Sequence, residues 1–175
     1  SRLYWVDIPA GRLYRFDSSA HSYEQVLEVD GAIGGFTVQA DDSLLLFLAG
    51  GAIAVWRQGE SLQYLVDGID VERESRFNDV IADPAGRVYC GTMAGPTGSG
   101  RLYRLDTDGS LTELLDGIGC SNGMGFSPDR RTLYHIDSPT KPVSRFVRDE
   151  STGALTHRQV FGDTTDQDGV PDAMR

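Results

Sequence analysis

Apolar and polar residues alternate along most of this chain with a period near two. "RLYRLDTDGSLTELL", Arg101 to Leu115, places an apolar side chain near every second position on either side of Asp108-Gly109, a dipeptide that favours a tight hairpin. "FVRDESTGALTHRQVF", Phe146 to Phe161, repeats the design around Thr152-Gly153. The apolar run Leu44 to Trp56 is broken by Gly50-Gly51 and reads as two strands joined by a turn; its 13 residues fall short of the roughly 20 a membrane-crossing helix needs. No stretch sustains a period of 3.6, so the predicted class is all-β.

The strands recur in a repeat. "GRLYRFD" at Gly11 to Asp17 returns as "GRLYRLD" at Gly100 to Asp106, 89 residues later, which is two units of 44 to 45. A second register agrees: Asn78 and Asn122 are 44 apart, each followed by an apolar strand, a turn (Asp83-Pro84-Ala85-Gly86; Ser127-Pro128-Asp129-Arg130) and an aromatic strand. One step back lands on Gly34, and one step forward with a few inserted residues reaches Asp172, so successive units open with Gly34, Asn78, Asn122 and Asp172. A four-stranded unit of this length is a β-propeller blade, and the residues opening equivalent inner strands converge on the central channel. The start "SRLYWVD" matches a second strand, and Met174-Arg175 coincide with the start of a new inner strand. The expectation is one propeller domain over residues 1–175, incomplete at both ends, with a four-bladed ring as the competing arrangement.

Composition narrows the partners. Sixteen basic against 26 acidic residues give a net charge of −10, and no Lys/Arg run could follow a phosphate backbone, so neither nucleic acid nor an anionic membrane is an expected partner. Cys90 and Cys120 stand in no CxxC arrangement, which argues against a disulfide scaffold or zinc ribbon and for a reducing, cytoplasmic setting. A propeller missing blades would leave sheet faces uncovered, so self-association is expected if the chain is partial.

Asn78, Asn122 and Asp172 around a channel would offer hard oxygen ligands for Ca2+ or Mg2+, and a carboxylate-rich version could take Zn2+ or Mn2+. The same residue types are also ordinary turn formers. Three other patterns carry less. "GCSNG" at Gly119 to Gly123 matches G-x-S-x-G, but strand and turn follow Ser121 where a nucleophile elbow needs a helix. "TTDQDG" around Asp166 would put Arg175 where an EF-hand needs its bidentate Glu, so a solvated loop is expected. His21, His135 and His157 have no ligand spacing.

"WVDIPAGRLYRFD", "RFNDVIADPAGRVYCGTM", "SNGMGFSPDRRTLYHIDS" and "DGVPDAM", in this order, resemble the successive signatures of the SMP-30/gluconolactonase/regucalcin-like family. The resemblance implies a six-bladed propeller, of which this chain covers about four blades, and metal-dependent hydrolysis of sugar lactones. It implies Asn122 and Asp172 as ligands of a divalent ion, Ca2+ or Zn2+ with Mn2+ or Mg2+ as alternatives, and Arg76 and Asn78 as substrate contacts. The third ligand of the family, a Glu in "EGP-x-W", falls ahead of Ser1. After "GTM" some members carry an acidic residue that helps hold substrate; here the segment is "AGPTGSG". Ala173 replaces the Gly of "PDGM".

The implied mechanism is attack of water on a lactone carbonyl polarised by the ion, with Asp172 as general base or, alternatively, as ligand alone. Arg76 would offer a planar donor fork to the sugar, unless a neighbouring carboxylate takes it, and Asn78 one donor and one acceptor. The competing functions are a non-catalytic propeller that binds metal or ligand, and a related propeller esterase with another substrate.

Overall fold

Gly50 and Gly51 both take positive φ, +68° and +74°, and split the apolar run 44–56 into two antiparallel strands as the sequence predicts. Glycine, without a Cβ, adopts this pair of angles at no steric cost. A Cβ on Gly51 would also stand 2.8 Å from Cβ of Ile69. In this computed structural model residues 2–173 are described, and the chain divides into two units, 1–77 and 78–175.

The first unit holds two antiparallel sheets in meander order. One consists of β1 (Arg2–Asp7), β2 (Arg12–Asp17) and β3 (Ser22–Glu28); the other of β4 (Ile33–Val38), β5 (Leu44–Leu48), β6 (Ile53–Trp56) and β7 (Gln63–Val66). β5 is buried on both faces, which is why its sequence is a continuous apolar run instead of an alternation. Leu44, Leu46 and Leu48 join Leu13, Ile33, Ala54 and Trp56 in one core, while Phe47 meets Phe77 edge to face at 5.3 Å. Each of these leucine, isoleucine and phenylalanine side chains contributes about 1.5–3 kcal/mol by leaving water.

The second unit contains two four-stranded sheets. β8 (Phe77–Ala82), which starts on the last residue of the first unit, β9 (Val88–Thr92), β10 (Gly100–Leu105) and β11 (Leu111–Ile118) form one; β12 (Ser121–Phe126), β13 (Thr132–Asp137), β14 (Val143–Arg148) and β15 (Leu155–Gly162) form the other. Tyr89, Leu102, Ile118, Met124 and Leu133 are its buried core. The predicted hairpins close as expected, with Gly109 and Gly153 at φ +85° and +70°. The two predicted turns after β8 and β12 also form, but the position held by Gly86 at φ +85° in one is held by Arg130 at φ +60° in the other.

A buried charge cluster ties these two sheets together. Asp83 accepts from Arg87 Nε at 2.8 Å and from Arg148 Nη2, and its Oδ1 also accepts the backbone N–H groups of Ala85 and Arg87. Arg148 donates further to Tyr89 Oη at 3.0 Å and to the Arg130 carbonyl at 2.8 Å, and lies over the Phe126 ring. Arg87 donates to the carbonyls of Glu150 and Ser151, and Tyr89 to that of Gly153. Both buried arginines share the one Asp83 carboxylate, and carbonyl oxygens take their other N–H groups, so the cluster acts as a staple.

The four meanders are propeller blades, about four in this chain. Gly34, Asn78 and Asn122 are each the second residue of a first strand, β4, β8 and β12, as the repeat implies. Asp172, the fourth, lies outside any strand. The new inner strand expected at Met174-Arg175 lies outside the described residues. Among the described residues no helix is long and apolar enough to cross a membrane.

Candidate functional site

β12 is positioned from the far end of its own hairpin. Asp137, the last residue of β13, accepts the backbone N–H groups of Gly119 and Cys120 at 3.0 and 2.9 Å, and the Ser138 N–H donates to the Cys120 carbonyl at 3.1 Å. The chain therefore enters β12 in one defined path. Asn122 then pairs with Ile136 and Met124 with His135, leaving Gly123 as an extra residue, with φ +31°. Such a bulge re-aims the side chain beside it, which here is Asn122.

Hydrogen bonds tie Asn78 to this strand and link Asn122, through Ser138, to the residue before Asp172. Asn78 Nδ2 donates to the Ser121 carbonyl at 2.9 Å. Asn122 Nδ2 donates to Ser138 Oγ at 3.1 Å, and Ser138 Oγ donates to the carbonyl of Pro171, the residue before Asp172, at 2.6 Å. Asp172 is exposed and Asn122 half-buried. Arg76 belongs to the first unit, where it is half-buried and donates from Nη1 to the Phe77 carbonyl at 3.0 Å. The structure thus connects Asn78, Asn122 and the chain at Asp172 within the second unit.

Asp79, Asp137 and Ser138 are supports to which sequence reasoning assigns no role. Asp79 accepts from the Met124 N–H at 3.1 Å, so the Asn-Asp pair of "RFND" holds β12 at two points. The only signal for the other two is position: Asp137-Ser138 end the motif "SNGMGFSPDRRTLYHIDS", directly after an apolar strand.

The donor set suits a hard cation. Among the described residues Asn122 Oδ1 accepts only the Gly123 N–H at 3.2 Å, which leaves a second lone pair, and Asp172 adds an exposed carboxylate. Among the described residues no group of three or more His, Cys, Asp or Glu could hold an ion, so a site here rests on this amide and carboxylate with water or further ligands. The loop around Asp166 is a poor alternative, because Lys141 Nζ already donates to the Gln167 carbonyl at 2.9 Å. That agrees with its reading as a solvated loop.

Ser121 is no nucleophile. It is fully buried, β12 continues as strand after it, and its Oγ lies 1.8 Å from where a Cβ on Gly91 would stand. His135 is equally sealed; His21 and His157 sit at positive φ with exposed surroundings. Cys90 and Cys120 are both reduced thiols, and burial pushes the Cys90 thiol far up, away from thiolate chemistry. A cavity of about 580 Å3 runs along β8 and β12 past Ile81, Met124, Phe126 and Ala173. None of the candidate residues lines it, and its one carboxylate, Asp79, is already committed to backbone N–H groups.

Pentonolactonase XacC of Haloferax volcanii is 44% identical over 173 residues, which is 99% of this chain and 58% of the relative. A gluconolactonase from Xanthomonas campestris superposes with a TM-score of 0.80 at 25% identity, covering 98% of this chain and 61% of that one. The calcium-binding regucalcin from Agrobacterium tumefaciens superposes with a TM-score of 0.88 at 24% identity, over 98% and 59%, which speaks for the fold alone. The chain therefore spans about three-fifths of the length of these proteins. A family model described as the SMP-30/Gluconolactonase/LRE-like region matches residues 1–175. With four blades in meander order and a relative above two-fifths identity, the chain belongs to the SMP-30/gluconolactonase/LRE-like family.

Proposed function

We propose that this chain is part of a single propeller domain that hydrolyses a sugar lactone with the help of a divalent metal ion. The observation that carries the reading is the bridge from Asn122 through Ser138 to Pro171, which joins a strand amide to the carboxylate segment from a motif some fifty residues later. The similarity to a pentonolactonase and a gluconolactonase supports the substrate class.

The proposed ion, held through Asn122 Oδ1 and the Asp172 carboxylate, would supply Lewis acidity at the lactone carbonyl. All-oxygen donors suit Ca2+, Mg2+ or Mn2+, with Zn2+ taken where carboxylates dominate the set. Asp172 takes the proton of the attacking water as the new C–O bond forms, and returns it to the ring oxygen as the ester bond breaks, which yields the open hydroxy acid. Its exposure gives water and substrate access to that oxygen. Asn78 and Arg76 meet the sugar, Asn78 with the amide oxygen end and Arg76 with its guanidinium fork. A cytoplasmic setting goes with this reading, in keeping with two reduced cysteines.

Asp172→Asn tests the assignment. Hydrolysis of a pentono- or gluconolactone should fall about 100- to 10,000-fold with no change in melting, the range expected on removing a general base. Full activity in the variant removes Asp172 as the base.

A second reading is a metal-binding propeller without turnover. It is favoured by Ala94-Gly95-Pro96-Thr97-Gly98, which offers no carboxylate after "GTM". It predicts ion binding with no hydrolysis of any lactone. A propeller esterase with another substrate would hydrolyse simple esters instead.

A further inference from the structure

The Ser138 side chain hydrogen-bonds to both proposed metal-ligand segments. It begins the short 3-10 turn Ser138–Thr140 after β13, is 5% exposed, and its hydroxyl makes two hydrogen bonds of opposite sense. The polarity of that chain is fixed by chemistry. The Pro171 carbonyl can only accept, so the single Ser138 hydroxyl proton goes to it, at 2.6 Å. The serine oxygen is left as an acceptor only, and the Asn122 amide must therefore present its NH2 to Ser138, at 3.1 Å. Its oxygen consequently faces the other way.

We infer that Ser138 is a positioning residue for the metal site: it selects the amide orientation that turns Asn122 Oδ1 toward the ion and holds the Pro171-Asp172 backbone beside β12. The inference rests on the proposed metal-dependent reading. The segment leading to Asp172 is fastened to the same turn at a second place, since Thr164 Oγ1 donates to the Lys141 carbonyl and Lys141 Nζ to the Gln167 carbonyl. Removing the hydroxyl would therefore not release the whole loop. It would free the Asn122 amide to rotate and let the chain next to Asp172 drift. A ligand support of this kind is worth about 10–100-fold in metal affinity.

The test is Mn2+ and Ca2+ binding by calorimetry on the full-length protein, unaltered and as Ser138→Ala and Ser138→Thr, with melting curves taken beside them. Ser138→Ala should bind about 10–100-fold more weakly while melting stays close to the unaltered protein, and Ser138→Thr, which keeps the hydroxyl, should recover most of the affinity. Equal affinity in Ser138→Ala overturns the inference and leaves the lactonase reading standing. No binding by the unaltered protein overturns the metal reading and this inference with it. If Ser138→Ala unfolds, NMR on the unaltered protein decides: the Asn122 NH2 protons should stay protected from solvent exchange while Ca2+ shifts the amide carbon. Freely exchanging NH2 protons, or an amide carbon that ignores Ca2+, overturn it.

Discussion

Ser121 Oγ lies 2.9 Å from His135 Nε2, and neither residue reaches solvent. A serine and a histidine at this distance are the start of a nucleophile, but here no substrate can approach and the pair acts as packing between strands. Among the described residues His135 Nδ1 has no hydrogen-bond partner. The ring is best kept neutral with Nε2 donating to Ser121, since a bare acceptor costs less than a buried unpaired N–H or an imidazolium.

Burial lowers the His135 value from 6.5 to about 4, against the attraction of Asp137 and with the help of Arg158. Because the folded value is depressed, its contribution to stability is complete above pH 6.5 and is lost as pH falls from 6.5 toward 4. The slope should approach about 1.4 kcal/mol per pH unit. Urea unfolding at about pH 7.5, above that window, and at about pH 5, within it, should differ more for the unaltered protein than for His135→Gln. Equal differences would remove His135 as the source.

Asp83→Asn should cost about 3–5 kcal/mol in denaturant unfolding, because it leaves Arg87 and Arg148 buried with their charge uncompensated. Burial raises the Asp83 carboxyl, but the hydrogen bonds from Arg148 and Arg87 outweigh it and hold it below its ordinary 3.8. The stabilisation is therefore present above pH 3.8 and is lost as pH falls through the lower folded value. A loss under about 1 kcal/mol, the worth of a surface pair, would contradict the cluster's role.

Gly91→Ala should destabilise by about 1–3 kcal/mol, since the added methyl meets Ser121 Oγ and Cβ at 1.8 and 2.2 Å. Combining it with Ser121→Gly should recover part of that loss. Additive losses in the double variant, read from urea midpoints, would mean the two side chains do not compete for this space.

The repeat makes Asn122 legible in the sequence, because a residue 44 positions from Asn78 has to open an equivalent strand, and both are second in theirs. Gly50-Gly51 and the turn at Asp83 to Gly86 are equally plain, since local angles decide them. Asp83 and Arg148, 65 residues apart, are not: their pairing depends on two sheets lying side by side, and no local pattern encodes that. Ser138 is hidden for the same reason, as a serine after a strand is commonplace until Pro171 comes back to it, 33 residues on. Arg130 at positive φ is a departure no turn rule anticipates, because the matching position in the other turn is Gly86.

Metal-dependent lactone hydrolysis is tested most directly by pH-stat titration of glucono- and pentonolactones with the full-length protein, after chelation and again after adding Ca2+, Mg2+, Mn2+ or Zn2+. The account predicts loss of hydrolysis to the spontaneous rate on chelation and recovery with at least one ion. Hydrolysis that survives complete chelation, or none with any ion on a protein that binds it, would contradict the account.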